Sequence, residues 1–204
     1  PIQNIGAYGV EIKDIFVSCS GYFLNTIEKK KFELNDCQFS YRSSIFKKSL
    51  RNKFIITEVV LQLSKTNHKI TKSYKSINDA LNNKKIHNPT IKDIARIVSK
   101  IRENKLPNPS LIGNSGSFFK NPIVSIELLN KLKQKFSKLV YFKESVSKYK
   151  LSAAWLIENC NFKNIEEKNV GVYKNQALVI INLGNATGKD ILLFSKKIKS
   201  TVLE

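Results

Sequence analysis

Two stretches of the chain carry polar side chains of types that take part in chemistry. In YRSSIFK, residues 41–47, Arg42 is one of only four arginines in a chain with 31 lysines. A guanidinium is a rigid fork of donors that lysine cannot replace, so Arg42 favours binding of a carboxylate or phosphate, with an ordinary surface arginine as the alternative. In GNSGSFFKNP, residues 113–122, Ser117 follows Gly116 and offers a hydroxyl. Most serines in such loops are only small residues that lead into a strand.

Glycines also mark the stretch PIQNIGAYGVE, residues 1–11. Gly6 and Gly9 predict either a close approach of two backbone segments or positive φ angles, which other residues adopt only at a cost. A plain turn before a strand is the alternative, since glycine is common there.

Metal chemistry finds little support in the sequence. The three cysteines, Cys19, Cys37 and Cys160, are widely spaced, and the two histidines, His68 and His87, stand apart from them. There is no CxxC pair and no Cys/His cluster, so a structural zinc site is not expected. We predict reduced, buried thiols in a cytoplasmic protein.

The formal net charge of +19 would suit a nucleic-acid-binding module. The charge comes from lysine, however, and lysine, isoleucine (24) and asparagine (21) all have A/T-rich codons. A protein selected to read nucleic acid is expected to keep arginine for bidentate contacts. The lysines are scattered, as in EKKKF, NNKKI and KLKQKFSK, which favours solvated surfaces over one binding stripe. We therefore predict no nucleic-acid partner and keep the module as an alternative.

Two further features concern the chain as a whole. It contains no run of about 18 apolar residues, which predicts no membrane span, and no signal peptide is visible at its start. The sequence opens with Pro1 and contains no methionine, so we expect residues 1–204 to be an internal part of a longer protein.

The first part of the chain predicts mostly sheet. Residues 11–24 and 53–64 are rich in β-branched and aromatic residues and are expected to be strands. IEKKKFEL, residues 27–34, is expected to add a hairpin strand, whereas residues 40–50 have no clear period. Residues 65–89 are polar and predict a loop with one short helix near residues 76–81.

The clearest helix begins after Thr90, which can cap it together with Asp93, and its apolar residues recur at helical spacing as far as Ile101. The prolines of KLPNPS end this helix and predict a domain boundary near residue 106. The fold class is α+β. Further strands are predicted at residues 116–119 and 177–182, and further helices at 125–138, 152–159 and 187–202.

Five ordered motifs resemble the family of UDP-N-acetylenolpyruvoylglucosamine reductase (MurB), flavoproteins of peptidoglycan synthesis. They are PIQNIGAYGVE, YRSSIFK, KLPNP, GNSGSFFKNP and KNQALVIIN, and together they span the chain. The resemblance implies the later part of a flavin-binding α+β domain in residues 1–106. A compact α+β substrate-binding domain would follow in residues 107–204.

The resemblance also implies a reaction. NADPH would reduce FAD, and the flavin would pass hydride to UDP-N-acetylglucosamine enolpyruvate, giving UDP-N-acetylmuramate. Arg42 would polarise the substrate carboxylate, and Ser117 would protonate the substrate carbon. The implied cofactor contacts are Asn4, Ile5, Gly6, Ala7, Tyr8, Arg102 and Gly116, and the implied substrate contacts are Tyr41, Tyr74, Lys105, Asn121, Tyr141 and Gln176.

One family motif has no match in the sequence. The family's LEPE segment supplies a catalytic glutamate, and Glu204 in TVLE lacks the Pro-Glu that should follow. We therefore expect this glutamate to lie outside the chain, and residues 1–204 alone to bind FAD weakly or not at all and to be inactive. An inactive remnant of the reductase is thus a second alternative. The implied protein is a cytoplasmic monomer without a membrane partner, and the polar loop that contains Tyr74 is expected to close over the substrate as a lid.

Overall fold

A computed structural model describes residues 1–68, 70 and 74–204. The fold is α+β, as the sequence predicts, and its contacts divide it into two compact units, Pro1–Val98 and Ser99–Glu204. Within the described part of the chain, no helix is long and apolar enough to cross a membrane. The assignment of flavin to residues 1–106 and of substrate to residues 107–204 stays a prediction.

The first unit consists of two antiparallel sheets and a helix. Its elements are β1 (Gly6–Ala7), β2 (Val10–Glu11), β3 (Phe16–Phe23), β4 (Lys29–Glu33), β5 (Phe54–Leu61) and α1 (Lys75–Asn83). β1 pairs with β2 as a small hairpin, and β3 is the centre of a sheet of order β4-β3-β5. An aromatic-rich core that includes Phe16, Phe32 and Phe46 holds this unit together.

Gly21 lies within β3 where the pairing with β5 changes register. A β-carbon built on Gly21 would lie 1.9 Å from the carbonyl oxygen of Ile55. The two strands therefore approach so closely that only glycine fits at this point.

Two cysteines lie in this core. Cys19 and Cys37 are buried free thiols, as predicted, whereas the free thiol Cys160 of the second unit is only partly buried. Burial, followed by the proximity of Cys19, raises the pKa of Cys37 to about 12, and burial also raises the pKa of Cys19 and of Cys160. Thiols that stay protonated at neutral pH are poor nucleophiles and poor metal ligands.

The helix α2 (Ile91–Lys105) begins in the first unit and ends in the second. Its capping box is confirmed, because the Asp93 backbone N–H donates to Thr90 Oγ1 at 3.3 Å and the Thr90 backbone N–H donates to Asp93 Oδ2 at 2.9 Å. The Thr90 hydroxyl also donates to Asp93 Oδ2 at 2.7 Å, and this hydrogen bond, followed by the one from the Thr90 backbone N–H, lowers the pKa of Asp93.

The second unit contains two antiparallel sheets, of order β10-β11-β12-β6 and β7-β9-β8, and three helices. Its elements are β6 (Gly113–Ser117), β7 (Ile123–Ser125), α3 (Ile126–Lys135), β8 (Tyr141–Lys143), β9 (Lys148–Leu151), α4 (Ala153–Asn159), β10 (Glu166–Glu167), β11 (Val170–Val172), β12 (Val179–Asn182) and α5 (Gly188–Leu203).

The helix α5 presents the apolar face that its spacing predicts. Phe194 and Ile198 are buried in the larger core of this unit, and Ile191 and Val202 pack against the same core. Thr187 and Asp190 form a capping box at its start. The apolar residues that recur at helical spacing in the sequence are thus the ones that pack α5 against the larger sheet.

Several predicted bounds shift in the structure. The strand predicted at residues 11–24 begins only at Phe16, because Ile12–Asp14 form a short 3-10 turn. The strand predicted at residues 116–119 occupies Gly113–Ser117. The helix near residues 76–81 extends over Lys75–Asn83, and the sequence patterns predict neither β1 nor the β7-β9-β8 sheet.

Candidate active site

The first group of predicted site residues surrounds the β1–β2 hairpin. Its two-residue loop is Tyr8-Gly9, with φ angles of 55° and 86°. Positive φ at both loop positions matches the tight turns that suit the twist of a hairpin. A β-carbon on Gly6 would lie 2.7 Å from the carbonyl oxygen of Val10. Both glycines are therefore explained by the hairpin itself, through close approach at Gly6 and positive φ at Gly9.

Asn4 is fully buried and stabilises the segment that leads into this hairpin. Its Oδ1 accepts from the backbone N–H of Lys13 at 3.0 Å. Its Nδ2 donates to Glu11 Oε2 at 2.9 Å and to the carbonyl oxygen of Ser40 at 3.3 Å. The Asn4 side chain thus acts within the protein, while the neighbouring Ile5 is 59% exposed and can meet a ligand.

Arg42 lies in a tight turn between Ser40 and Ser43. The backbone N–H of Ser43 donates to the carbonyl oxygen of Ser40 at 3.1 Å, and Arg42 has a φ of 51°. Positive φ at the third turn position normally selects glycine or asparagine. Such a conformation in another residue costs about 1–3 kcal/mol and is typical of functional sites.

The Arg42 guanidinium points back to the hairpin. Nη1 donates to the carbonyl oxygen of Asn4 at 3.4 Å, and Nη2 donates to that of Gly6 at 2.5 Å. Nη1 is also 3.8 Å from Glu11 Oε1, and the guanidinium lies 5.1 Å from the centre of the Tyr41 ring. The Arg42 side chain is 26% exposed, so it is held by the protein and still open to solvent on one side.

The remaining predicted contact in this unit is Tyr74, directly before α1. Its ring meets the ring of Tyr8 edge-on at 5.1 Å, so the structure brings Tyr74 to the hairpin. The polar loop that contains Tyr74 is described only in part, since Lys69 and residues 71–73 lie outside the described residues. The lid stays a prediction.

In the second unit, Gly116 and Ser117 end β6. Gly116 has a φ of 69°, and its backbone N–H donates to Asn114 Oδ1 at 3.0 Å. A β-carbon on Gly116 would meet no atom within 4 Å, so one side of the backbone is open here. Ser117 is exposed and pairs with Val179 of β12. An open, left-handed glycine thus directly precedes the exposed Ser117.

Gln176 and Lys105 lie on two segments that hydrogen bonds connect to the strand pair β6–β12. The backbone N–H of Val179 donates to the carbonyl oxygen of Gln176 at 3.0 Å, in the turn that precedes β12. In that turn, Asn175 Nδ2 donates to the carbonyl oxygen of Asn104 at 3.0 Å. The structure therefore links the strand partner of Ser117 to the C-terminal end of α2, which carries Lys105 and, one turn earlier, Arg102. Both cations are exposed.

Asn121 and Tyr141 lie at the other sheet of this unit. Asn121 Oδ1 accepts from the backbone N–H of Ala153 at 3.0 Å, at the first turn of α4. Tyr141 pairs with Leu151 in β8–β9, and the ammonium group of Lys133 lies 5.3 Å from its ring centre. The Asn121 side chain thus stabilises the first turn of α4, and the Tyr141 ring lies beside the Lys133 ammonium group.

Known proteins resemble the chain along its whole length. The sequence model of "UDP-N-acetylenolpyruvoylglucosamine reductase, C-terminal domain" matches residues 108–204. Over all 204 residues, the chain is 48% identical to UDP-N-acetylenolpyruvoylglucosamine reductase of Flavobacterium johnsoniae, covering 60% of that protein. The reductases of Amoebophilus asiaticus (43%) and Pseudomonas fluorescens (39%) match over the same extent.

The chain is thus similar over its whole length to UDP-N-acetylenolpyruvoylglucosamine reductases, and residues 108–204 match the model of their C-terminal domain.

A solved structure of this reductase family has the same fold. The crystal structure of UDP-N-acetylenolpyruvylglucosamine reductase (MurB) from Thermus caldophilus aligns with a TM-score of 0.60 at 18% identity, over 98% of this chain and 54% of that one. At this identity the match supports the fold alone. The chain spans about 60% of the length of the curated reductases that it matches.

Glu11 was not among the residues predicted for a reductase site. The structure places its carboxylate between Asn4, Lys13 and Arg42. Glu11 could have been noticed in the sequence, because it is the only acidic residue among the first eleven and follows the hairpin glycines by two residues. Among the described residues there is no group of three His, Cys, Asp or Glu side chains that could hold a metal ion.

Proposed function

We propose that the protein reduces the enolpyruvyl group of UDP-N-acetylglucosamine enolpyruvate to UDP-N-acetylmuramate, with FAD and NADPH, in the cytoplasmic stage of peptidoglycan synthesis. The observation that carries this proposal is the 48% identity to a reductase of that name over the whole chain. When bound, FAD reduced by NADPH supplies the hydride. The open backbone at Gly116 is compatible with a flat cofactor in contact with this residue.

Ser117 is proposed as the proton donor. Its hydroxyl is exposed at the end of β6, where it can reach a bound substrate. A serine hydroxyl is a weak acid, but the carbon left after hydride addition is a strong base, so transfer from Oγ becomes feasible where cations stabilise the alkoxide. The hydroxyl then regains its proton from water.

Arg42 is proposed to bind the substrate carboxylate and to stabilise the negative charge that develops during reduction. Its two hydrogen bonds to backbone carbonyls use two of the five guanidinium donors, so donors remain for a carboxylate. Because the guanidinium is already fixed, little reorganisation accompanies the reaction. Removal of a well-placed donor of this kind costs about 3–4 kcal/mol in transition-state stabilisation.

The other predicted residues are proposed to bind the nucleotide and the cofactor. Lys105 and Gln176 suit the diphosphate as a cation and an amide, because each directly follows one of the two residues, Asn104 and Asn175, that a hydrogen bond joins. Asn4 contributes through the conformation of the hairpin segment. The remaining proposed substrate contacts are Tyr41, Tyr74, Asn121 and Tyr141, and the remaining cofactor contacts are Ile5, Gly6, Ala7, Tyr8, Arg102 and Gly116.

Substitution Ser117→Ala tests the proposal by separating the half-reactions. In the flavin-loaded full-length protein, to which residues 1–204 are expected to belong, flavin reduction by NADPH should be nearly unchanged. Reoxidation of the flavin by the enolpyruvyl substrate, followed by its absorbance in stopped flow, should slow by at least about 100-fold, because general acid catalysis is lost. Ser137→Ala, the same change at an exposed position after α3, serves as the control. Equal loss in both half-reactions would show that Ser117 is not the acid.

A further inference from the structure

One carboxylate at the hairpin has no task in the proposed reaction. Glu11 Oε2 accepts from Asn4 Nδ2 at 2.9 Å and lies 3.2 Å from Lys13 Nζ, while Oε1 lies 3.8 Å from Arg42 Nη1. The two oxygens thus have separate partners. The fully buried Asn4 fixes the first, and this directs the second towards the guanidinium.

Glu11 and Arg42 also share a backbone contact. Glu11 pairs with Gly6 in the hairpin, and the carbonyl oxygen of Gly6 is the acceptor for Arg42 Nη2. The carboxylate and this carbonyl therefore approach the guanidinium from the same pair of strands. Both side chains are 26% exposed, so their attraction is screened less than that of a pair on the open surface.

We propose that Glu11 is a positioning residue that orients the Arg42 guanidinium for the carboxylate of the substrate. This inference rests on the proposed reductase function. The guanidinium lies beside the carbonyls of Asn4 and Gly6, the ring of Tyr41 and the carboxylate of Glu11, and among these groups only Glu11 carries a charge. Without that charge the guanidinium keeps two neutral acceptors and loses the attraction that selects one rotamer. A small displacement of a charge-stabilising donor is sufficient to slow catalysis.

Two variants separate the charge of Glu11 from its size. Glu11→Gln keeps the length of the side chain and an oxygen that can accept from Asn4, but it has no charge. Glu11→Asp keeps the charge on a shorter side chain. An orienting role through charge predicts that Asp preserves function better than Gln, whereas a role in packing predicts the reverse order.

The first readout is independent of activity. The chain has only four arginines, so the side-chain Nε–H signals in a proton–nitrogen correlation spectrum are few, and Arg42→Lys identifies that of Arg42. Glu11→Gln should move the Arg42 signal and leave those of Arg51, Arg96 and Arg102 in place. An unmoved Arg42 signal would overturn the proposal, whether or not the protein is a reductase.

The second readout is the pair of half-reactions in the flavin-loaded protein. Glu11→Gln should slow flavin reoxidation by the enolpyruvyl substrate by about 10- to 100-fold and leave reduction by NADPH unchanged, and Glu11→Asp should lose less. Glu33→Gln is the matched control, because Glu33 is an exposed carboxylate of the same unit paired with Lys31 at 2.8 Å. Unchanged reoxidation in Glu11→Gln, or a larger loss in Glu11→Asp, would refute the positioning role. A full-length wild-type protein that does not reduce the substrate would instead refute the proposed function.

Discussion

Arg42 combines two signals, one in the sequence and one in the backbone. Its rarity among 31 lysines makes it a candidate from the amino-acid sequence alone. Its φ of 51° is an independent reason, because a large side chain occupies a turn position that favours glycine. This conformation could not be predicted, since YRSS contains neither glycine nor asparagine, the residues that normally indicate such a turn. The same limit applies to the side chain of Asn4, whose three hydrogen-bonding partners lie 7, 9 and 36 residues further along the chain.

The backbone strain at Arg42 can be measured with two substitutions. Arg42→Ala and Arg42→Gly both remove the guanidinium and its hydrogen bonds, but only alanine retains a β-carbon at positive φ. The glycine variant should therefore be more stable than the alanine variant by about 1 kcal/mol. Urea unfolding followed by circular dichroism measures the difference. An alanine variant that is as stable as the glycine variant would show that the turn is not strained.

Helices and strands could be predicted from the sequence where apolar residues recur at a regular spacing or where a helix-capping motif is present. The helices α2 and α5 follow from apolar spacing, and the capping box predicted for α2 is present in the structure. The strands of the β7-β9-β8 sheet are only three or four residues long, and Tyr141–Lys143 are all exposed. Such short strands show no alternation of apolar and polar residues, and their pairing with neighbouring strands stabilises them. Their local sequence therefore could not predict them. The strand predicted from GNSGSFFKNP at residues 116–119 likewise lies at Gly113–Ser117, and the role of Ser117 stays a prediction.

Replacement of glycine by alanine is expected to change stability in opposite directions at Gly21, within β3, and at Gly188, at the start of α5. Gly21→Ala should destabilise the protein by about 3 kcal/mol or more, because its β-carbon would collide with the backbone of Ile55. Gly188→Ala, at the first residue of α5 and with no atom within 4 Å, should instead stabilise it by up to about 1 kcal/mol. Thermal unfolding of both variants beside the wild type provides the comparison. Equal effects at the two positions would contradict the close approach of β3 and β5.

At the scale of the molecule, the charge of +19 is spread over many isolated lysines. Part of it is balanced locally, as in the exposed pairs Lys29–Glu58 and Lys163–Glu158. Such pairs contribute little to stability. The nucleic-acid-binding module therefore stays an alternative, and its absence stays a prediction.

The distribution of charge leads to a prediction about nucleic acid. We expect a labelled DNA duplex to show no saturable binding to the protein at physiological ionic strength, because scattered lysines release few counterions at any one place. Fluorescence anisotropy over a series of salt concentrations measures this, with a basic DNA-binding protein as the positive control. Tight binding with a steep loss of affinity as salt rises would favour the nucleic-acid-binding module instead.

The buried Asn4 has a consequence for how this sequence can evolve. Asparagine and aspartate codons differ by one nucleotide, so aspartate is a frequent mutational neighbour of asparagine. At this position, however, aspartate would place a second carboxylate against Glu11 and turn a donor towards the carbonyl of Ser40 into another acceptor. Two like charges at about 3 Å in a buried setting repel strongly. Selection should therefore remove this substitution each time it arises, even in a lineage whose base composition changes freely elsewhere.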